Sequence, residues 1–281
     1  MTVVIPALKR MPLLPFYCNL FYYCSVCIIE QTFYKIKLKI IMRLSNTDNI
    51  GKMGDKMPLK NYDIFSKLSD EECEEMHLAY NVVDAKKGDY IYFESRYLNK
   101  LFFIKEGYIK IGYINNNGQE IIKEILQGGE MFGQFSLECN NLNGEFAQAH
   151  KSDVSLCSFT IDNFTTILQK NTSVAIGYTQ KVGNRLRKME NRFLNMLHAD
   201  VKTRLLRFFC DMIETNNESI TGNNVLINNF LTHDDIARLI GSTRQTVTAA
   251  FNEPAMKKMV SITKRHIYIA DIKAVQKVLL H

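Results

Sequence analysis

Arg244, Gln245 and Thr248 fall on one side of a short helical stretch, three side chains suited to base edges or phosphates in a DNA major groove. Arginine can hold a guanine with two parallel donors, and glutamine can pair with adenine. Ser242, Thr243 and Thr246 add hydroxyls for phosphate oxygens, and the methyls of Thr246 and Thr248 suit a thymine methyl. Further on, SITKRHIYI places Lys264, Arg265 and His266 between Ile262 and the pair Ile267/Ile269. That pattern predicts a short hairpin with its charge at the tip. Cations on a helix and on a neighbouring tip make a phosphate-binding surface. A plain helical hairpin with a polar face does not require the second cluster.

The segment LTHDDIARLIGSTRQTVTAAF must position these groups. Thr232 can cap a first helix with its hydroxyl, and Asp234 and Asp235 sit where the helix dipole favours negative charge. Ile236, Ala237 and Ile240 share a face at helical spacing. Gly241 can end that helix in a left-handed conformation. Ser242 or Thr243 then caps a second helix, from Arg244 to about Phe251, whose inner face is Val247, Ala250 and Phe251. No P-loop, zinc-protease helix or nucleophile elbow occurs, so no enzyme is expected.

The 281 residues suggest about two domains. At 46% hydrophobic, the chain is globular. Net charge is +5 over residues 1–57, −7 over 58–163, +5 over 164–197 and +3 over 198–281. An acidic module followed by basic ones fits a sensor joined to a nucleic-acid reader. The seven scattered cysteines do not read as a disulfide framework, and a reducing cytoplasm is the expected setting. Residues 1–57 form an extension unlike the rest. Its apolar run at 12–29 is short for a membrane span and carries two prolines and Asn19; no small-residue cleavage site follows it. The favoured reading is a later start at Met42, Met53 or Met57, with a membrane anchor as the alternative.

Residues 58–163 read as a leading helix and then a barrel. Ser69 and Glu72 form a capping box, and Cys73, Met76 and Tyr80 follow the helical period. From Asn81 the period becomes two, and turns at Lys87-Gly88, Glu106-Gly107, Asn117-Gly118 and Gly128-Gly129 predict seven or eight short antiparallel strands in a jelly roll. Residues 164–197 connect. A short helix precedes a long one, about Ser173 to Leu197, on which Ala175, Thr179, Val182, Leu186, Met189, Phe193 and Met196 alternate at spacings of four and three. That is a coiled-coil seam for a homodimer, or a face packed on the chain's own barrel. Residues 198–281 begin with a helix presenting Leu205, Phe208, Phe209 and Met212 and hold the DNA-reading segment.

This order of parts resembles the CRP/FNR family of bacterial transcription regulators over about residues 60–280. The segment from KKGDYIYFES to GGEMFGQ is similar to the family's cyclic-nucleotide-binding domain, and LTHDDIARLIGSTRQTVTAAFNE to its winged helix-turn-helix. The resemblance implies an α+β fold: an N-terminal antiparallel jelly-roll β-barrel, a long dimerisation helix and a C-terminal winged helix-turn-helix domain. It also implies a homodimer on near-palindromic double-stranded DNA, an effector-driven switch and RNA polymerase as a further partner. Arg244 falls on the family's base-reading arginine and Gln245 on its neighbour. Ala249 stands where many members carry a second arginine, and Pro254 where the helix usually continues, so the recognition helix is expected to stop or bend at Asn252–Glu253.

The resemblance also frames the effector. Members that bind cAMP use a glycine turn, a carboxylate and an arginine. Here the turn survives at Gly133, Gln134 takes the carboxylate position, and Glu145 and Phe146 stand where the arginine and its following Ser or Thr are expected. A carboxylate repels a cyclic phosphate, so cAMP is not expected to bind, and the effector is unknown. An iron–sulfur cluster, the family's other sensor chemistry, needs four thiolates. Cys157 lies near the barrel position, but Cys18, Cys24 and Cys27 have the wrong order of spacings and lie far from the leading helix. His77 and His150 are isolated, so haem is not expected either. No cofactor is predicted. The rival reading is a small-molecule or redox sensor that acts through a protein partner.

Overall fold

The computed structural model describes residues 59–279, apart from 78, 94–97, 116–118, 138–144, 216–219 and 222–223. The extension, with Cys18, Cys24, Cys27 and the alternative starts, lies outside the described residues, as does the Asn117-Gly118 turn. Two 3₁₀ turns, Leu59–Asn61 and Asp63–Phe65, lead to α1 (Asp70–His77). Its capping box forms as expected: the Glu72 N–H donates to Ser69 Oγ at 3.1 Å and the Ser69 N–H to Glu72 Oε2 at 2.8 Å. Cys73 and Met76 are buried.

The barrel is one antiparallel sheet of β1 (Tyr80–Ala85), β2 (Tyr90–Phe93), β3 (Lys100–Ile114), β4 (Glu120–Gln127), β5 (Met131–Gly133) and β6 (Glu145–Thr160). Its order is β1-β6-β3-β4, with β2 added on β6 and β5 on β3. This corrects the expectation of seven or eight short strands: among the described residues, six strands are found, and two are long. Glu106-Gly107 does not cut the chain. The ladder between β3 and β6 shifts register there and continues. Gly107 takes φ +92°, and a Cβ on it would meet the Asp153 carbonyl oxygen at 2.5 Å, so a glycine lets two long strands bend together. Phe65, Phe103, Phe159 and Phe164 fill one end of the barrel, and Ile104, Ile109, Phe132 and Leu156 the other.

After the barrel come α2 (Ile161–Lys170), the long helix α3 (Thr172–His198) and α4 (Val201–Thr215). The predicted seam on α3 is only partly placed as read. Leu186, Met189, Phe193 and Met196 are exposed, but Val182 packs against the chain's own barrel core. The outward stripe runs instead through Ile176, Gly183, Leu186, Phe193 and Leu197, with open space around Gly183. A heptad pattern alone cannot distinguish two adjacent seams on a helix that is apolar on more than one side.

The C-terminal module has β7 (Ile220–Thr221), β8 (Asn224–Asn228), α5 (His233–Leu239), α6 (Arg244–Asn252), α7 (Pro254–Met259), β9 (Val260–Ile262), β10 (His266–Ile269) and α8 (Ile272–Leu279). Its strands pair in the order β7-β8-β10-β9. Leu205, Phe209, Ile236, Val247, Phe251 and Ile267 build its core. Ile122 from barrel strand β4 is buried in that same core, and Tyr108 of β3 stacks on Phe230 at 4.5 Å. The module is therefore seated on its own barrel.

Thr232 caps α5 through a reciprocal box with Asp235. Thr232 Oγ1 accepts the Asp235 N–H at 3.1 Å, and Asp235 Oδ2 accepts the Thr232 N–H at 2.8 Å. His150 Nε2 of β6 stands 3.6 Å from the same carboxylate. Burial opposes ionisation of Asp235, but the contacts with His150 and Thr232 outweigh it and hold the carboxyl at about 2. Because this value is depressed, the stabilisation is fully present above the unfolded value near 4 and is lost as pH falls through about 2. Asp235→Asn is expected to cost on the order of 2 kcal/mol at neutral pH and to flatten the acid limb of stability below pH 4, measured by urea unfolding followed by circular dichroism.

Candidate nucleic-acid interface and sensor pocket

The reading helix is set up locally. Gly241 takes φ +66°, the left-handed turn expected after α5. Thr243, not Ser242, caps α6: its hydroxyl accepts the Thr246 N–H at 3.2 Å and lies 2.8 Å from the Thr246 hydroxyl. The helix ends at Asn252, Glu253 is extended at ψ 137°, and Pro254 opens α7. Proline cannot donate into α6, so the expected stop at Asn252–Glu253 is seen. Arg244, Gln245, Thr246 and Ala249 are exposed, while Val247, Ala250 and Phe251 face the core.

Thr248 is half-buried, with its hydroxyl engaged inside the module. Its hydroxyl donates to the Arg244 carbonyl at 2.8 Å and lies 3.0 Å from His233 Nδ1. An oxygen that donates its only proton to a carbonyl accepts from the ring, which places the imidazole proton on Nδ1. Burial and the nearby Arg244 cation lower the His233 pKa, favouring the neutral ring. Thr248 thus braces the inner edge of the helix and leaves its methyl for a base. His233 was not singled out in the sequence, because its link to Thr248 crosses from one helix to the next.

The wing forms where expected. Ile267 pairs with Ile262 and Ile269 with Val260. Lys264, Arg265 and His266 are exposed at the tip. The turn is held by Thr263, whose N–H donates to the His266 carbonyl at 2.8 Å and whose hydroxyl accepts the His266 N–H at 2.9 Å. Asn229 fastens it from the other side, donating its backbone N–H to the Arg265 carbonyl at 2.7 Å and its side-chain amide to the Thr263 carbonyl at 2.6 Å. A polar Thr263 three residues before His266 was a readable turn signal; Asn229, distant in sequence, gave none.

In the barrel, Gly133 takes φ +101° in a tight spot where a Cβ would meet the Lys100 carbonyl oxygen at 2.6 Å. Gln134 is buried and donates its amide to the Ser136 carbonyl at 3.0 Å. Glu145 accepts the Tyr92 hydroxyl at 2.7 Å and pairs with Lys123 at 2.9 Å. Burial and the Glu145 charge push the Tyr92 phenol well up, so it stays a neutral donor. Phe146 is fully buried and stacks on Phe93. Arg185 of α3 pairs with Glu124 and lies over the Phe135 ring at 4.4 Å. Glu145 and Glu124 thus each meet a cation, while the buried Glu130 carboxyl accepts the Gln127 N–H at 2.8 Å and burial raises its pKa. Cys157 sits in β6 with its thiol pushed up to about 12 by burial, a setting that favours thiol over the thiolate a cluster needs.

A β-barrel, a long helix and a winged helix-turn-helix with a cationic outer face define a DNA-binding transcription regulator. The sequence matches the family description "Cyclic nucleotide-binding domain" over residues 82–171 and "Crp-like helix-turn-helix domain" over 203–278. It is 27% identical over 180 residues to the "Global nitrogen regulator" of Nostoc sp., covering 64% of this chain and 80% of that protein. It is 22% identical to the "CRP-like cAMP-activated global transcriptional regulator" of Mycobacterium tuberculosis, covering 67% and 84%. Among solved structures, a CooA mutant from Carboxydothermus hydrogenoformans shares the fold at a TM-score of 0.61 and 18% identity, over 81% of this chain and 97% of that one. FixK2 from Bradyrhizobium japonicum does so at 0.60 and 16%, over 70% and 96%. The chain belongs to the CRP/FNR family of transcription regulators.

As the phosphate contacts expected of them, Lys264 and Arg265 would act as point charges rather than as readers of bases. Replacing Lys264 and Arg265 together by alanine is expected to weaken binding to all duplexes alike. The slope of log affinity against log salt should become shallower by about 2, one phosphate per cation, in fluorescence anisotropy titrations.

Proposed function

We propose that the chain binds near-palindromic double-stranded DNA as a cytoplasmic homodimer joined through α3, and that its effector, if it has one, is not cAMP. The observation that carries the reading is the apolar stripe on the helix that bears the reading module. Leu186, Phe193, Leu194 and Leu197 are 58, 62, 52 and 59% exposed. Being little more than half exposed, each of the four forfeits about half of the roughly 1.5–3 kcal/mol that full burial supplies, which a second copy of the helix recovers. Two-fold pairing then presents two α6 helices to two half-sites. Among the described residues, no helix is long and apolar enough to cross a membrane.

Arg244 and Gln245 read bases in this arrangement. Ser242, Thr243 and Thr246 lie beside the phosphates, as do Lys264, Arg265 and His266. Output is DNA occupancy, with RNA polymerase as the downstream partner. In the barrel, Glu145 holds the position that the family resemblance gives to a phosphate-binding arginine, and Lys123 and Tyr92 already satisfy it. An incoming phosphate would have to break that pair and face the carboxylate. The named relatives include both a cAMP-activated regulator and nitrogen regulators, so relationship alone does not decide the effector.

Arg244→Ala is expected to cost about 1–3 kcal/mol on a duplex selected from a random library and to relax discrimination at one base pair per half-site. Equal affinity in the variant would remove α6 from the reading role. Calorimetry with cAMP is expected to show no binding at micromolar concentration; a micromolar isotherm would overturn the pocket assignment.

A further inference from the structure

We infer that Arg192 is the positioning residue that fixes the reading module at one angle to the dimer helix, by joining the end of α5 to barrel strand β4. Its guanidinium leaves α3 and donates to two backbone carbonyls far apart in sequence. One is Lys123 in β4, at 2.6 Å; the other is Leu239, the last residue of α5. A helix ends with carbonyls that have no partner inside the helix and that carry the negative end of its dipole. Arg192 answers one of them. Arg204 of α4 answers the next two, donating to the Ile240 carbonyl at 2.8 Å and the Gly241 carbonyl at 3.1 Å. Gly241 begins the turn into α6, so whatever holds these carbonyls sets where the reading helix points.

The two arginines differ in reach. Arg204 belongs to the module it caps. Arg192 belongs to α3 and alone of the two also grips the barrel. Its barrel anchor is itself pinned, because the Lys123 ammonium is held by Glu145 in the sensor pocket. Arg238 adds a parallel tie from α5 to the Glu120 carbonyl of β4 at 2.6 Å. Lysine is a poor substitute at position 192, since it lacks the planar fork that spans two acceptors.

The inference rests on the two-half-site reading above, and its test separates the two. In the full chain, Arg192→Gln is expected to speed amide exchange together in residues 120–127 and 236–242. Arg204→Gln should do so in 236–242 alone. That arm needs no DNA, so it decides the clamp even if no duplex is bound. The second arm uses the library-selected duplex and versions with two base pairs inserted or removed between half-sites. Wild type should bind the altered spacings far more weakly, and in Arg192→Gln that penalty should narrow at least about fivefold. A merely destabilised protein would lose affinity for every spacing by one factor and keep the penalty. If Arg192→Gln does not fold, Arg192→Lys decides: it should show the same paired exchange and the same narrowed penalty. Unchanged exchange in 120–127, or an unchanged spacing penalty, overturns the inference.

Discussion

Three successive carbonyl groups, those of Leu239 at the end of α5 and of Ile240 and Gly241 in the turn that follows, are satisfied by two arginines. The rest of the reading surface depends on that arrangement. Gly241, which carries the last of these carbonyls, turns left-handed, Thr243 caps α6 two residues on, and Arg244 and Gln245 follow in the first turn of the exposed helix. Leaving such carbonyls unpaired costs about 1–3 kcal/mol each when buried, comparable to the worth of a base contact. The same donors that stabilise the module therefore also orient it.

Charge is arranged in two ways in this chain. On the barrel strands much of it is paired: Glu145 meets Lys123 and Tyr92, Glu124 meets Arg185, and Lys110 meets Glu120 at 2.9 Å. On the outer face of the winged module it is left open to solvent, at Arg244 and along Lys264 to His266. A carboxylate already paired with a cation repels an incoming anion, while unpaired cations on a surface attract a polyanion over a Debye length. Both features belong to one CRP/FNR chain, and they are what the proposal of a DNA-binding regulator without a cAMP effector rests on.

Much of this was legible in the sequence where the cause is local. The Thr232 cap, the Ser69 box, the left-handed Gly241 and the stop at Pro254 depend on a few neighbouring residues, and each is found where expected. What was not legible depends on partners far along the chain. Gly107 looks like a turn until Asp153 on β6 lies against it and makes it a bend. Val182 belongs to the heptad pattern until the barrel claims it. Thr248 looks free until His233 reaches it from the previous helix. Arg192 reads as one more cation on a basic helix, because its acceptors are main-chain carbonyls and leave no mark in the sequence.

The central claim is that two copies of this chain present paired reading helices to one duplex. A hydroxyl-radical footprint of the full chain on its library-selected DNA tests it most directly. The account predicts two protected patches related by two-fold symmetry, centred about 10 base pairs apart on one face of the duplex, at two chains per site. A single asymmetric patch at one chain per duplex would contradict it.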